Sequence, residues 1–262
     1  MNLVVPVKQV PETTDVKIDR KTNTLIREGV ASIVNPFDMY AVEQALRIRD
    51  EHGGKVTCIS MGPPQAEAAL RETLALGADE AILLSDRAFA GADTLATSYT
   101  LAQAIVKLGE FDLIICGKQA IDGDTAQVGP GIAEQLDIPH VTYVNRVEEI
   151  SNRHIRIRRM TEEGYDVILS SLPALITVVK EIGEPRMPSI KGTLRARKAS
   201  ITTWTAKDLG ADEEMIGLQG SPTQVVRIFS PEIRPGGEII EGDSAREKAK
   251  NLIARLKTNH LL

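Results

Sequence analysis

Aromatic side chains make up only 3% of the 262 residues, too few to line a groove with the stacked rings that hold single-stranded nucleic acid. Cys58 and Cys116 are the two cysteines. Each lies in an apolar run with no partner at a redox-motif or zinc-motif spacing, which predicts two buried thiols and neither a disulfide nor a zinc site. The histidines, His52, His140, His154 and His260, are scattered, with no paired spacing that would mark a metal centre. The net charge of −5 comes from mixed signs and leaves no nucleic-acid footprint. No apolar stretch approaches bilayer length, and the opening "MNLVVPVKQV" has neither a basic leader nor a small-residue cleavage site. A cytoplasmic chain without membrane insertion is expected. Neither GxGxxG nor GxxxxGK[ST] occurs, so any nucleotide is held by a less common scheme.

What is present is an alternation of strand and helix signals. "LVVPV" at 3–7, "KVTCIS" at 55–60, "EAILLS" at 80–85 and "FDLIICG" at 111–117 are apolar runs of strand length. Between them, residues 38–50, 64–76 and 94–108 place apolar side chains on one helical stripe. Strands that are continuously apolar, rather than alternating, belong to a parallel sheet covered on both faces. The predicted fold is α/β: a doubly wound, mainly parallel sheet. An antiparallel hairpin is added to it, with strands at 154–160 and 165–179 around the turn "TEEG". From 184 on, prolines, glycines and single apolar residues (Ile190, Leu194, Ile201, Trp204, Ile216) predict an extended arm closed by a helix from Ser244 to about Lys257. The expected division is therefore 1–183 as the nucleotide-binding domain and 184–262 as an arm that wraps a partner.

In doubly wound sheets ligands sit beyond the carboxyl ends of the strands. Five loops belong there: "VKQVPETTD" after the first strand, "VNPFD" at 34–38, "SMGPP" at 60–64, "FAGADTLATS" at 89–98 and "GKQAIDGDTAQVGP" at 117–130. Glycines admit close backbone approach, and helix N-termini offer free N–H donors, so such loops suit phosphate. In the fourth, Thr94, Thr97 and Ser98 bring hydroxyls, and Asp93 is placed to cap the helix. Asp122 and Asp124 are read as caps or ribose ligands before they are read as an acid–base pair. Pro130 is tolerated only in a first helical turn, so the next helix begins at about Gln127 or later and leaves 122–126 as loop. No side-chain catalytic set emerges. Arg156, Arg158 and Arg159 read as one strand face.

The segments "VKQVPETTDVKID", "VNPFDMYAVEQAL", "SMGPPQAEAALRETLALGADEAILLSD", "GKQAIDGDTAQVGPGIAEQL" and "RRMTEEGYDVILSSLPALITV" together resemble the β subunit of electron transfer flavoproteins. Asp166 stands where the family's hairpin usually has Glu. The resemblance implies the adenine-nucleotide-binding type of sheet, a heterodimer with a larger, flavin-holding α subunit that the arm wraps, and a nucleotide on this chain's rim. By motif it places that nucleotide at Pro6, Asn35, Pro36, Phe37, Asp38, Met61, Gly117, Lys118, Gln119, Ala120, Ile121, Asp122, Gly123, Asp124, Thr125, Ala126, Gln127 and Val128, with Asp93, Thr94 and Thr97 added for a longer ligand. "KQVPETT", "FAGADTLATS" and "DGDTAQVGP" are similar to the electron-bifurcating members. Those members imply FAD here, NADH as donor, ferredoxin or flavodoxin as one acceptor, and a flavin-dependent dehydrogenase reached through the α subunit. The alternatives are a non-bifurcating β subunit with structural AMP, or a stand-alone adenine-nucleotide-binding protein. The segment "EPRMPSIKGTLRARK" is similar to the family's dehydrogenase-recognition loop, with Ile190 as apolar anchor and Arg186 and Lys191 beside it.

Overall fold

The computed structural model describes residues 1–12, 18–19, 24–25, 32–151, 153–226 and 236–262. In chain order the strands are β1 Asn2–Pro6, β2 Gln9–Pro11, β3 Ile18–Asp19, β4 Thr24–Leu25 and β5 Ser32–Val34, followed by helix α1 Pro36–His52. Then come β6 Lys55–Met61, α2 Glu67–Leu76, β7 Glu80–Leu84, α3 Thr94–Leu108, β8 Leu113–Gly117 and α4 Val128–Gln135. The hairpin region holds β9 His140–Ile150, β10 His154–Met160, β11 Tyr165–Ser171 and β12 Ala174–Val178. Last are α5 Ile190–Lys198, β13 Thr202–Trp204, α6 Ala206–Leu209 and α7 Ala245–Thr258. The end of "VKQVPETTD" at 13–15 and residues 227–235 lie outside the described residues.

Among the described residues one sheet has the order β11-β10-β9-β12-β8-β1-β6-β7-β13. From β9 to β13 its neighbours are parallel, and β10 and β11 complete it as antiparallel strands. The apolar runs are continuous because both faces are covered. Leu3 and Val5 pack with Val42, Leu46 and Leu70 beneath α1 and α2, while Val4 turns to the other face among Ile59, Leu101, Ile105 and Ile132. Cys58 and Cys116 are buried free thiols, and burial pushes the Cys58 thiol up to about 12, so it stays protonated at neutral pH.

Three expectations need correction. Residues 165–179 are not one strand of a hairpin: β11 pairs with β10 around the 161–164 turn, whereas β12 returns to the middle of the sheet, parallel between β8 and β9. "ALITV" is buried at every position, which suits a central parallel strand and not an edge hairpin. The chain's own contacts also divide it at 226/227 and not at 183/184. Ile201, Trp204 and Ile216, expected on the arm, pack into this chain's own core, and β13 extends the sheet beyond β7. Ile190 and Leu194 remain exposed. Finally, the arginines do not share a face. Arg156 pairs with Glu148 and Arg158 lies over the Tyr165 ring, while Arg159 turns toward Thr142. In the second unit, α7 is capped by Ser244, and Arg255 pairs with Glu238 at 2.6 Å.

Candidate functional site

The chain lays β1, β6 and β7 side by side in one direction and then places β8 on the other side of β1. The carboxyl ends of β1 and β8 therefore flank the point where strand order reverses, the place where open α/β sheets bind ligands. Pro6 ends β1, Met61 ends β6 and Gly117 ends β8, and α1 begins against the same edge.

The loops of this edge are tied together. Lys8, just past β1, pairs its ammonium with Asp122 in the loop after β8 at 2.7 Å. Asn35, fully buried, donates from Nδ2 to Asp38 Oδ1 (3.0 Å) and to the Gln119 carbonyl (2.8 Å) and accepts the Ile121 N–H at Oδ1 (3.1 Å). Asp38 Oδ2 accepts the Lys8 N–H at 2.7 Å, and the Gly117 N–H also reaches this carboxyl. Burial pushes Asp38 up to about 7, while the hydrogen bonds from Asn35, Lys8 and Gly117 and the Lys8 charge pull the other way. Pro36 occupies the first turn of α1, where a missing N–H costs nothing. Gly117 is required by this packing. A Cβ there would lie 2.6 Å from the Phe37 carbonyl carbon and 2.8 Å from the Asp38 nitrogen, closer than such atoms come.

The loop from Lys118 to Gln127 is exposed for most of its length. Asp124 (φ 53°) and Ala126 (φ 55°) adopt the left-handed conformation, and Gln119 Nε2 donates to Asp124 Oδ1. Around a Cβ built on Gly123 there is nothing within 4 Å. Ala120, Ile121 and Thr125 complete the loop, and α4 begins at Val128 with Pro130 in its first turn, as the proline required. Gln127 provides no side-chain cap to α4; its Oε1 instead accepts from Thr94 Oγ1 at 2.9 Å, so the starts of α3 and α4 are joined. Asp93 caps α3 through the N–H groups of Leu95 and Ala96 and also accepts from Thr223, which turns its carboxylate toward protein and away from a ligand. Burial opposes ionisation of Asp93, but those hydrogen bonds prevail and hold it below the usual carboxylate range. Thr97 lies in the first turn of α3, half-buried.

Two further rim residues, Lys8 and Tyr143, escape sequence reasoning. The signal for Lys8 was a lone cation directly after the first strand. Tyr143 has φ 59° where β9 shifts register against β12, and its N–H donates to Thr177 Oγ1 at 3.2 Å. Its ring stands 5.3 Å from the Lys118 ammonium, with Phe37 at 5.2 Å, so Lys118 is held between two rings at the rim. A register shift cannot be read from one sequence.

The second group of expected residues lies elsewhere on the same unit. Ile190 starts α5 and is 83% exposed, and Lys191 follows, also exposed. Arg186 is not free: its guanidinium donates to Glu43 (2.8 and 3.4 Å) and Asp50 (2.9 Å) on α1. Among the described residues no group of acidic, histidine or cysteine side chains could hold a metal ion, and no helix is long and apolar enough to cross a membrane.

Residues 22–209 match the electron transfer flavoprotein domain. Over the whole length of both chains, the sequence is 55% identical to the electron transfer flavoprotein subunit beta of Thermoanaerobacterium thermosaccharolyticum. It is 52% identical, again over both full lengths, to the caffeyl-CoA reductase-Etf complex subunit CarD of Acetobacterium woodii. Protein FixA of Azorhizobium caulinodans is 45% identical over 98% of this chain and 94% of its own. Matched by the family model over most of its length and by β subunits at half or more identity end to end, the chain belongs to the electron transfer flavoprotein family as one of its β subunits.

Proposed function

We propose that this chain binds FAD on the switch-point rim, takes up reducing equivalents from NADH there, and works in a heterodimer with a flavin-holding α subunit. The observation that carries the reading is the open ground around Gly123, exposed and with nothing within 4 Å of a built Cβ, beside the starts of α3 and α4. Helix starts and glycine backbone favour the pyrophosphate, and Asp122 or Asp124 supplies acceptors for ribose hydroxyls. Thr97 provides a hydroxyl donor for the longer ligand, beside Thr94, whose hydroxyl would exchange its bond to Gln127 for one to the ligand. Among the described residues the rim carries no array of side chains suited to acid–base catalysis, which fits a protein that positions a cofactor. When bound, FAD supplies the ability to accept a hydride and return electrons singly, one toward ferredoxin or flavodoxin and one toward a flavin-dependent dehydrogenase by way of the α subunit.

The residues of this chain have three tasks. Asn35, Asp38 and Lys8 set the loop after β8, Phe37 and Tyr143 hold the Lys118 cation at the edge, and Ile190 and Lys191 offer the dehydrogenase a docking point. The exposed apolar residues of the second unit, Ile239, Leu252 and Ile253, suit an arm that covers the α subunit. That CarD is named as a subunit of a reductase-Etf complex supports an assembly of this kind. Nucleotide extraction from the purified heterodimer tests the reading. Two FAD per heterodimer is the expected result, and one FAD with one AMP would replace it with a non-bifurcating carrier.

A further inference from the structure

The segment 184–199 has the composition of a loop but is bolted to the body by arginines from both sides. Arg47 donates to the Glu184 carbonyl at 2.9 Å. Arg71 donates to the carbonyls of Ala196 (2.7 Å) and Ala199 (3.1 Å). Arg195 reaches back to the carbonyls of Leu74 and Ala78, both at 3.0 Å. Gly192 lies so close to the Ala75 carbonyl that any Cβ would overlap it, and Ser189 caps α5 by accepting the Gly192 N–H at 2.9 Å. At the head of the segment, Arg186 meets Glu43 twice, through its guanidinium and through its own backbone N–H (3.0 Å). The Glu43 side chain is only 6% exposed, which leaves a partner protein almost none of it to touch. The pair is therefore a planar fork on a buried carboxylate, a geometry that lysine does not reproduce. Outward from this clamp stand Met187 (87% exposed), Ile190 (83%) and Leu194 (53%), none of which is needed to hold the segment.

We propose that Arg186 is a positioning residue and not a partner contact: locked to Glu43, it holds the 187–194 surface in its docking conformation before any partner arrives. The proposal rests on the docking role given to Ile190 above. A dehydrogenase then binds a preformed two-turn apolar stripe and bears no cost of ordering it.

The experiment uses the full heterodimer with Arg186→Ala, Arg186→Lys, Glu43→Gln, the double variant Arg186→Ala/Glu43→Gln, and Ile190→Ala. Hydrogen exchange at the α5 amides is the first readout, and the KM of a purified flavin-dependent acyl-CoA dehydrogenase for the heterodimer is the second. Loss of the clamp should speed α5 exchange and raise KM by about tenfold in Arg186→Ala and Glu43→Gln alike, with kcat unchanged and no further loss in the double variant. Arg186→Lys should behave like Arg186→Ala despite keeping the charge. Ile190→Ala should raise KM while exchange stays at the wild-type rate. If Glu43→Gln leaves exchange and KM unchanged while Arg186→Ala or its lysine counterpart shifts KM alone, Arg186 is a contact and the proposal is overturned. An unchanged KM for Ile190→Ala instead removes the docking reading, while the exchange rates still decide whether Arg186 holds the segment.

Discussion

At the scale of single residues, the rim hangs on Asp38. Its folded pKa of about 7 lies above the ordinary carboxyl value of 3.8, so the folded state binds a proton more tightly than the unfolded chain. Its contribution to stability is then full below about pH 4 and is lost as pH rises through about 7, a change on the order of 4 kcal/mol at most. Denaturant midpoints measured from pH 4 to 8 should fall in that window for the native chain. Asp38→Asn should flatten the slope, while starting from a lower midpoint because one of the donors now pointing at the carboxyl loses its acceptor. Gly123 is the converse case, a residue whose side-chain space is open. Gly123→Glu should leave the fold and thermal midpoint near native values and lower flavin content per heterodimer by up to about half, read from the absorbance ratio at the flavin and protein bands. Full flavin content in that variant would move the ligand away from this loop.

At the scale of elements, legibility depended on whether an element's reason for existing is local. The strands β1, β6, β7 and β8 could be read within a residue or two because they are buried on both faces, and α3 was legible to its ends from its apolar stripe and the Asp93 cap. "YDVILSSLPALITVV" misled, because nothing within it says that "ALITV" pairs with β8 across fifty-odd residues of chain. Helix α5 was missed for a related reason. Its sequence "IKGTLRARK" buries only Ala196, and its order comes from arginines on α1 and α2 that no local pattern announces. The residues expected at the rim lie in contiguous loops. What could not be read was the bonding between them, such as Lys8 to Asp122 across the switch point. Gly192→Ala tests the α5 packing: the added methyl must push α5 off the Ala75 carbonyl. A loss of about 1–3 kcal/mol in denaturant stability is expected, with nucleotide content unaffected.

At the scale of the molecule, two units have different work. The first, Met1–Val226, owns the whole sheet with helices on both faces and carries both the rim and the α5 surface. The second, Arg227–Leu262, has among its described residues one capped helix with most of its apolar residues exposed, which is the composition of a segment completed by a partner. A chain ending at Val226 should keep the cooperative thermal transition of the first unit and fail to co-purify with the α subunit. Retained co-purification would place the subunit contact on the sheet unit instead.

Helix α1 gives these sites a common axis. Its first turn, with Phe37 and Asp38, sets the rim, and Glu43, Arg47 and Asp50 farther along it hold the segment that presents Ile190. A helix of this length is a strut of about 25 Å. On the proposed docking of a dehydrogenase at Ile190, its separation from the rim would be measured out by a rigid rod and not by loops, and changes on the outer face of α5 would alter partner choice while leaving that distance the same.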